Sequence, residues 1–106
     1  MDDAAFARHW VTTRAARGYG AARLRAELRT RGVAPALIEA AVAPLGRDHQ
    51  LEEARRLARR RLPALTRVPP DKAIARLRDH LLRRGFPGGV VAQVVREVVR
   101  RPVEDD

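Results

Sequence analysis

The stretch Leu24-Arg25-Ala26-Glu27-Leu28-Arg29-Thr30-Arg31-Gly32-Val33 returns as Leu77-Arg78-Asp79-His80-Leu81-Leu82-Arg83-Arg84-Gly85-Phe86, at an ungapped offset of 53 residues. Leu24/Leu77, Arg25/Arg78, Leu28/Leu81, Arg31/Arg84 and Gly32/Gly85 are identical. Leu37-Ile38 then aligns with Val90-Val91, and Val42 with Val95. A fixed-offset self-match marks an array of supersecondary units. Each copy carries a leucine pair at i, i+4, the inner face of a helix. A basic last turn follows, suited to the negative end of the helix dipole. A glycine then ends the helix in the left-handed region, which predicts positive φ at Gly32 and Gly85.

Around this element each unit reads as three helices. Residues 2–17 form the first, capped by Asp2 or Asp3, with Phe6, Ala7, Trp10, Val11 and Ala15 on one arc. Gly18-Tyr19-Gly20 breaks it. The second runs from Ala21 to Arg31, with Glu27 and Arg31 as an i, i+4 pair. The third follows Ala34, with Pro35 in its first turn, and stops by Pro44 and Gly46. In the second unit, Asp48 is the expected N-cap of a helix reaching Leu62. Another helix starts after Pro70 and ends at Gly85, and a last one spans Val90 to Arg100. The valine run of that helix has strand propensity, but its pairs recur at helical spacing. Pro102 stops it, and Val103 to Asp106 reads as a frayed acidic tail. The first helices of the two units align at an offset of 47, matching Arg14 with Arg61, so the second unit has a longer connection around Pro63, Pro69 and Pro70, or a longer start to its second helix. Arg14 and Arg61 both interrupt an apolar arc. Each is expected to be partly buried with an acidic or carbonyl partner, Glu27 or Glu39 in the case of Arg14. The expected fold is all-α: two tandem three-helix repeats, 1–46 and 47–106, packed into a small elongated array.

Composition narrows the function. The 106 residues include no cysteine, which excludes disulfides and thiolate metal sites and fits a reducing compartment. No run of about 18 apolar residues exists, and the acidic N-terminus is no secretory signal, so a cytoplasmic protein is expected. His9, His49 and His80 are scattered and lack metal-helix spacing. Serine is absent, so nucleophilic catalysis is not expected, nor is a cofactor. The net charge is +9, almost all of it arginine, and implies an acidic or polyanionic partner. The densest basic face is Arg55, Arg56, Arg59 and Arg60, with Arg23, Arg25 and Arg29 repeating the theme in the first unit. An ordinary solvated face is the plain alternative. Trp10 lies on the apolar arc and reads as core, whereas Tyr19, between two glycines, reads as a more open contact residue.

Asp2-Asp3-Ala4-Ala5-Phe6-Ala7-Arg8, followed by Trp10, resembles the D-D-x-x-F-A motif of the RecX regulatory proteins. Gly18 to Val33 is similar to the second repeat of that family, and Leu51 to Leu62 with Leu77 to Phe86 to its third. Family members usually carry a further repeat before this motif, so the resemblance implies that the usual N-terminal repeat is lacking, in a truncated chain or a short member. It also implies a non-enzymatic regulator, a monomer, that binds the RecA–single-stranded DNA filament. Such a regulator meets DNA through the filament and damps strand exchange and SOS co-protease activity. The rival readings are a free-standing basic helical nucleic-acid-binding module and a structural helical adaptor.

Overall fold

The computed structural model describes residues 2–100. Six α-helices follow one another: α1 Asp3–Ala15, α2 Ala21–Thr30, α3 Pro35–Val42, α4 Arg47–Arg61, α5 Pro70–Arg84 and α6 Gly88–Arg100. There is no strand among the described residues, and Val90 to Val99 is helical as its spacing requires. Pro102 and the 103–106 tail lie outside the described residues.

Local chemistry explains most boundaries. The Asp2 carboxylate accepts the Ala5 N–H at 3.1 Å and caps α1. Pro35 and Pro70 occupy first-turn positions of α3 and α5, where a missing N–H costs nothing. Gly32 and Gly85 have φ of 80° and 98°, the left-handed conformation expected after each basic last turn. The longer connection of the second unit is a 3-10 turn, Leu62–Leu65, whose Leu65 plugs into the core. Two expected starts move. Gly46 precedes α4, which begins at Arg47, so Asp48 sits inside the first turn instead of capping it. Helix α6 begins at Gly88, ahead of the expected start at Val90.

Each unit buries its own core. Ala7, Val11, Leu24, Leu28, Val33 and Ile38 lead one cluster, and Leu57, Leu77, Leu81, Phe86, Val90 and Val94 lead the other. The repeat mates Leu24/Leu77, Leu28/Leu81 and Val33/Phe86 are all buried. With few aromatics available, Leu, Val, Ile and Ala fill both cores.

The units meet where the start of α2 abuts the end of α5. The Gly20 N–H donates to the Arg84 carbonyl at 2.7 Å and the Ala22 N–H to the Gly85 carbonyl at 2.9 Å. Between them, the Ala21 N–H donates to Oε1 of the buried Gln50 at 2.8 Å. Arg23 Nη1 donates to the Arg83 carbonyl at 3.1 Å, and Arg84 Nη2 returns to the Arg17 carbonyl at 2.7 Å. The orphan N–H groups of α2 therefore pair with α4 and with the orphan carbonyls of α5. The positive end of one helix dipole faces the negative end of another. Glycine is required on both sides. A Cβ on Gly20 would lie 2.5 Å from the Gly85 carbonyl group, and one on Gly85 would lie 2.2 Å from Arg23 Cβ. This backbone clasp holds the units in a rod of 57 × 21 × 20 Å.

Candidate functional site

The rod carries its arginines in three different states. The four-arginine face of α4 is divided by acids that are distant in sequence or lie at its own start. Arg55 makes a two-pronged pair with Glu97 of α6, both contacts at 2.8 Å. Arg56 donates to Glu53 at 2.7 Å. Only Arg59 and Arg60 remain exposed without a carboxylate partner among the described residues. In the first unit Arg25 pairs with Glu39 at 2.9 Å, and Arg23 with Glu27 at 3.1 Å. Arg29 is exposed and has no carboxylate partner among the described residues. Of the seven arginines picked out by sequence, Arg29, Arg59 and Arg60 are thus left with their charge open to a partner.

The Arg55–Glu97 contact has a measurable consequence. The guanidinium, aided by Gln93, holds the Glu97 carboxyl down at about 2 against an ordinary 4.5. A carboxyl with a depressed folded value stabilises the fold above its unfolded value. That contribution fades as pH falls from about 4.5 to about 2. Side-chain NMR should find Glu97 titrating near the lower value, and Arg55→Gln should return it toward the ordinary one. A Glu97 midpoint unmoved by the substitution would remove Arg55 as the cause.

A second state is built around the rings of Trp10 and Tyr19. The Arg31 guanidinium lies 4.0 Å from the Trp10 ring centre and Arg14 lies 5.4 Å away. Arg14, Arg84 and Arg23 surround the Tyr19 ring at 4.3, 4.4 and 4.6 Å. Cation–π attraction of this kind is worth roughly 0.5–2 kcal/mol per contact. Tyr19 is therefore half-buried under three guanidinium groups rather than the open contact residue its loop position suggests. Trp10 packs against the first core as expected. Glu27 sits at the centre and accepts Trp10 Nε1 at 2.9 Å, Arg14 Nε at 2.7 Å and Arg14 Nη2 at 2.8 Å. Burial works against the Glu27 charge, but hydrogen bonds from Arg14, Trp10 and Arg23 outweigh it and hold the carboxyl below its ordinary value. The expected Glu27–Arg31 pair is replaced by Arg23–Glu27, because Arg31 stacks on Trp10. Arg14 is half-buried with its acid, as its place in the apolar arc predicts.

The third state was not visible in the sequence. Arg61, the mate of Arg14, is exposed and has no hydrogen-bond partner among the described residues, contrary to expectation. The reason lies in the repeat. The residue standing where Glu27 stands is His80, 53 positions on. Arg60, Arg61, His80 and Arg84 line a cleft of about 250 Å³ between α4 and α5. Arg61 also borders a neighbouring cleft of about 390 Å³ with Arg76, Arg83 and Asp79. Burial, together with Arg61, Arg84 and Arg83, pushes the His80 pKa below its ordinary value of 6.5. The Nε atom of Arg84 is buried without a hydrogen-bond partner. The one signal that could have pointed to Arg84 is its identity with Arg31. The two equivalent arginines stack on the two rings of the first unit.

His9 and His49 are exposed on α1 and α4, far apart in the sequence and in different helices. No helix among the described residues is long and apolar enough to cross a membrane.

The first unit matches the model of the RecX second three-helix domain over residues 2–42, and the second unit matches that of the RecX third three-helix domain over residues 48–95. Among relatives, "Regulatory protein RecX" of Streptomyces coelicolor is 40% identical over 106 residues, covering 99% of this chain and 56% of the relative. The protein of the same name from Thermobifida fusca is 43% identical over 98 residues, covering 92% and 53%. That of Stenotrophomonas maltophilia strain R551-3 is 43% identical over 97 residues, covering 91% and 58%. The chain spans little more than half the length of these relatives. No solved structure matches it. Both three-helix units, in the same order and over most of the chain, place this protein in the RecX family.

Proposed function

We propose that this chain is a non-enzymatic regulator of the RecA recombinase, working in the cytoplasm as a monomer. It lies along the RecA–single-stranded DNA filament, restrains its growth, and lowers strand exchange and SOS co-protease activity. Residues 1–46 and 47–106 act as its two repeats. Membership of the RecX family supports this reading. The observation that carries it is the clasped rod, 57 Å long, with free guanidinium groups on both units: Arg29 on the first, Arg59 and Arg60 on the second. A rigid rod can bridge neighbouring protomers of a helical filament, and preorganised charge spares the ordering cost of binding. Arginines of this kind add across a surface facing phosphates or acidic side chains, and salt weakens them.

The test replaces Arg29, Arg59 and Arg60 together by glutamine. Exposed charges contribute little to folding, so the melting temperature should stay within a few degrees. Inhibition of RecA strand exchange should weaken about tenfold and lose part of its salt dependence. A folded variant that inhibits as well as the parent, with the same salt slope, would move the contact to other residues. Parent protein that binds naked DNA as tightly as the filament would favour the free-standing nucleic-acid module instead.

A further inference from the structure

The repeat sets up a direct comparison between the two units. In the first, Arg14 leaves the end of α1 and meets the carboxylate of Glu27 on α2. In the second, the equivalent Arg61 leaves the end of α4 and lines a cleft with His80 of α5. Around His80 stand Arg60 and Arg61 from α4, with Arg83 and Arg84 from the end of α5. Asp79, the one acid lining the adjoining cleft, forms no ion pair among the described residues. At this position the first unit therefore holds an acid against its arginine, and the second holds none. Among the described residues no carboxylate lines the cleft, so the guanidinium groups of Arg60, Arg61 and Arg84 together attract an incoming anion.

We propose that the Arg60–Arg61–His80–Arg84 cleft binds a phosphodiester group of a single-stranded nucleic acid, which occupies the place that Glu27 holds in the first unit. This deepens the reading above by giving the chain its own contact with the strand, independent of RecA. A single strand fits better than an acidic peptide because of what lies next along the rod. Arg84 joins the cleft to Arg17 through its 2.7 Å bond to the Arg17 carbonyl. Arg17 in turn lines a shallow shelf of about 380 Å³ with Phe6, His9 and Trp10. Phe6 is 37% exposed, and its ring lies 5.8 Å from that of Trp10. A guanidinium cleft beside an exposed aromatic shelf is the pairing that holds unpaired bases and their backbone. A duplex keeps its base faces stacked and can use only the cleft.

The experiment measures binding of the purified chain, without RecA, to a fluorescein-labelled oligothymidylate. A duplex of equal length and poly-glutamate serve as competitors. The chain should bind the single strand in preference to the duplex, and poly-glutamate of equal charge should not displace it. His80→Glu restores the intramolecular acid, so it should lower affinity about tenfold while leaving the melting temperature equal or higher. Arg60→Gln/Arg61→Gln, which changes only exposed side chains, should lower affinity by a similar factor and reduce the salt slope. Phe6→Ala should lower it about fivefold, and the fluorescence of the single tryptophan, Trp10, should change on binding to the parent. Arg78→Gln/Arg96→Gln removes the same charge from exposed positions outside the track and should have little effect.

Undiminished binding by the folded His80→Glu protein would overturn the proposal. So would an equal loss in the Arg78/Arg96 control, which would reduce the effect to net charge. Displacement by poly-glutamate would make the cleft a site for acidic peptides. Should these variants fail to alter strand binding yet Arg29→Gln/Arg59→Gln still impair strand-exchange inhibition, the proposal falls and the RecA reading stands.

Discussion

Alanine at Gly85 should destabilise the protein by about 2–4 kcal/mol, whereas alanine at Gly32 should cost only about 1 kcal/mol. The two glycines are repeat mates, both follow a basic last turn, and both have positive φ. The left-handed backbone alone therefore penalises both substitutions equally. Their surroundings differ. A Cβ on Gly32 meets nothing within 4 Å, while one on Gly85 would lie 2.2 Å from Arg23 Cβ and 2.7 Å from the Arg23 backbone nitrogen. Backbone cannot swing aside as a side-chain tip can, so α2 and α5 must separate. Separation stretches the Gly20–Arg84 and Ala22–Gly85 hydrogen bonds and strands donors at the start of α2. For a chain of this size, Gly85→Ala should lower the melting temperature by about 10 °C or more, and Gly32→Ala by about 5 °C. Because each unit has its own core, the Gly85 variant should also melt over a broader range. Equal losses in the two variants would mean that the clasp contributes nothing beyond a helix stop.

The repeat was legible because it rests on local rules. Leucines at helical spacing, basic last turns, first-turn prolines and two helix-ending glycines act within a few residues of themselves. They survive the move from sequence to structure unchanged. The alignment offset changes between Arg61 and Leu77, and the extra residues there lengthen the connection through the 3-10 turn and also start α5 earlier, at Pro70. The binding surface was less legible, since charge pairing depends on which helix lies opposite. For Arg55 the sequence offers only the nearby Glu52 and Glu53, whereas the fold brings Glu97 of α6 from 42 residues away. Tyr19 looked open because its neighbours in sequence are glycines, yet its neighbours in space are Arg14, Arg23 and Arg84. Gln50 gave no sign of being buried, because its partner is a backbone N–H of the other unit. Arg61 shares with Arg14 a place inside an apolar arc, which predicts a partner for both. The position is equivalent but the chemistry is not, since His80 stands where Glu27 does.

Replacing Glu27 by glutamine should be the most damaging change to a side chain outside the apolar cores, at about 2–4 kcal/mol. The carboxylate accepts four hydrogen bonds, from Trp10, twice from Arg14, and from Arg23, and its side chain is only 17% exposed. Glutamine keeps the shape but turns one acceptor into a donor that faces guanidinium N–H groups. It also leaves Arg14, Arg23 and Arg31 crowded around two aromatic rings with no counter-charge at their centre. The melting temperature should fall by about 10–20 °C. Acid should act on the parent in the same direction. The Glu27 carboxyl is held below its ordinary value of 4.5, so its stabilisation is complete above that pH. It is lost as pH falls through the lower folded value, because the unfolded chain then binds a proton that the fold resists. The parent should therefore lose stability steeply below about pH 4.5, and Glu27→Gln should lose less over the same range. Two results would count against a central role for Glu27: a variant melting within a few degrees of the parent at neutral pH, or parallel acid profiles for the two proteins. In the second unit the same logic runs in reverse. A glutamate placed at His80 should gain the pair with Arg61 that Glu27 makes with Arg14, so the two substitutions should shift stability in opposite directions.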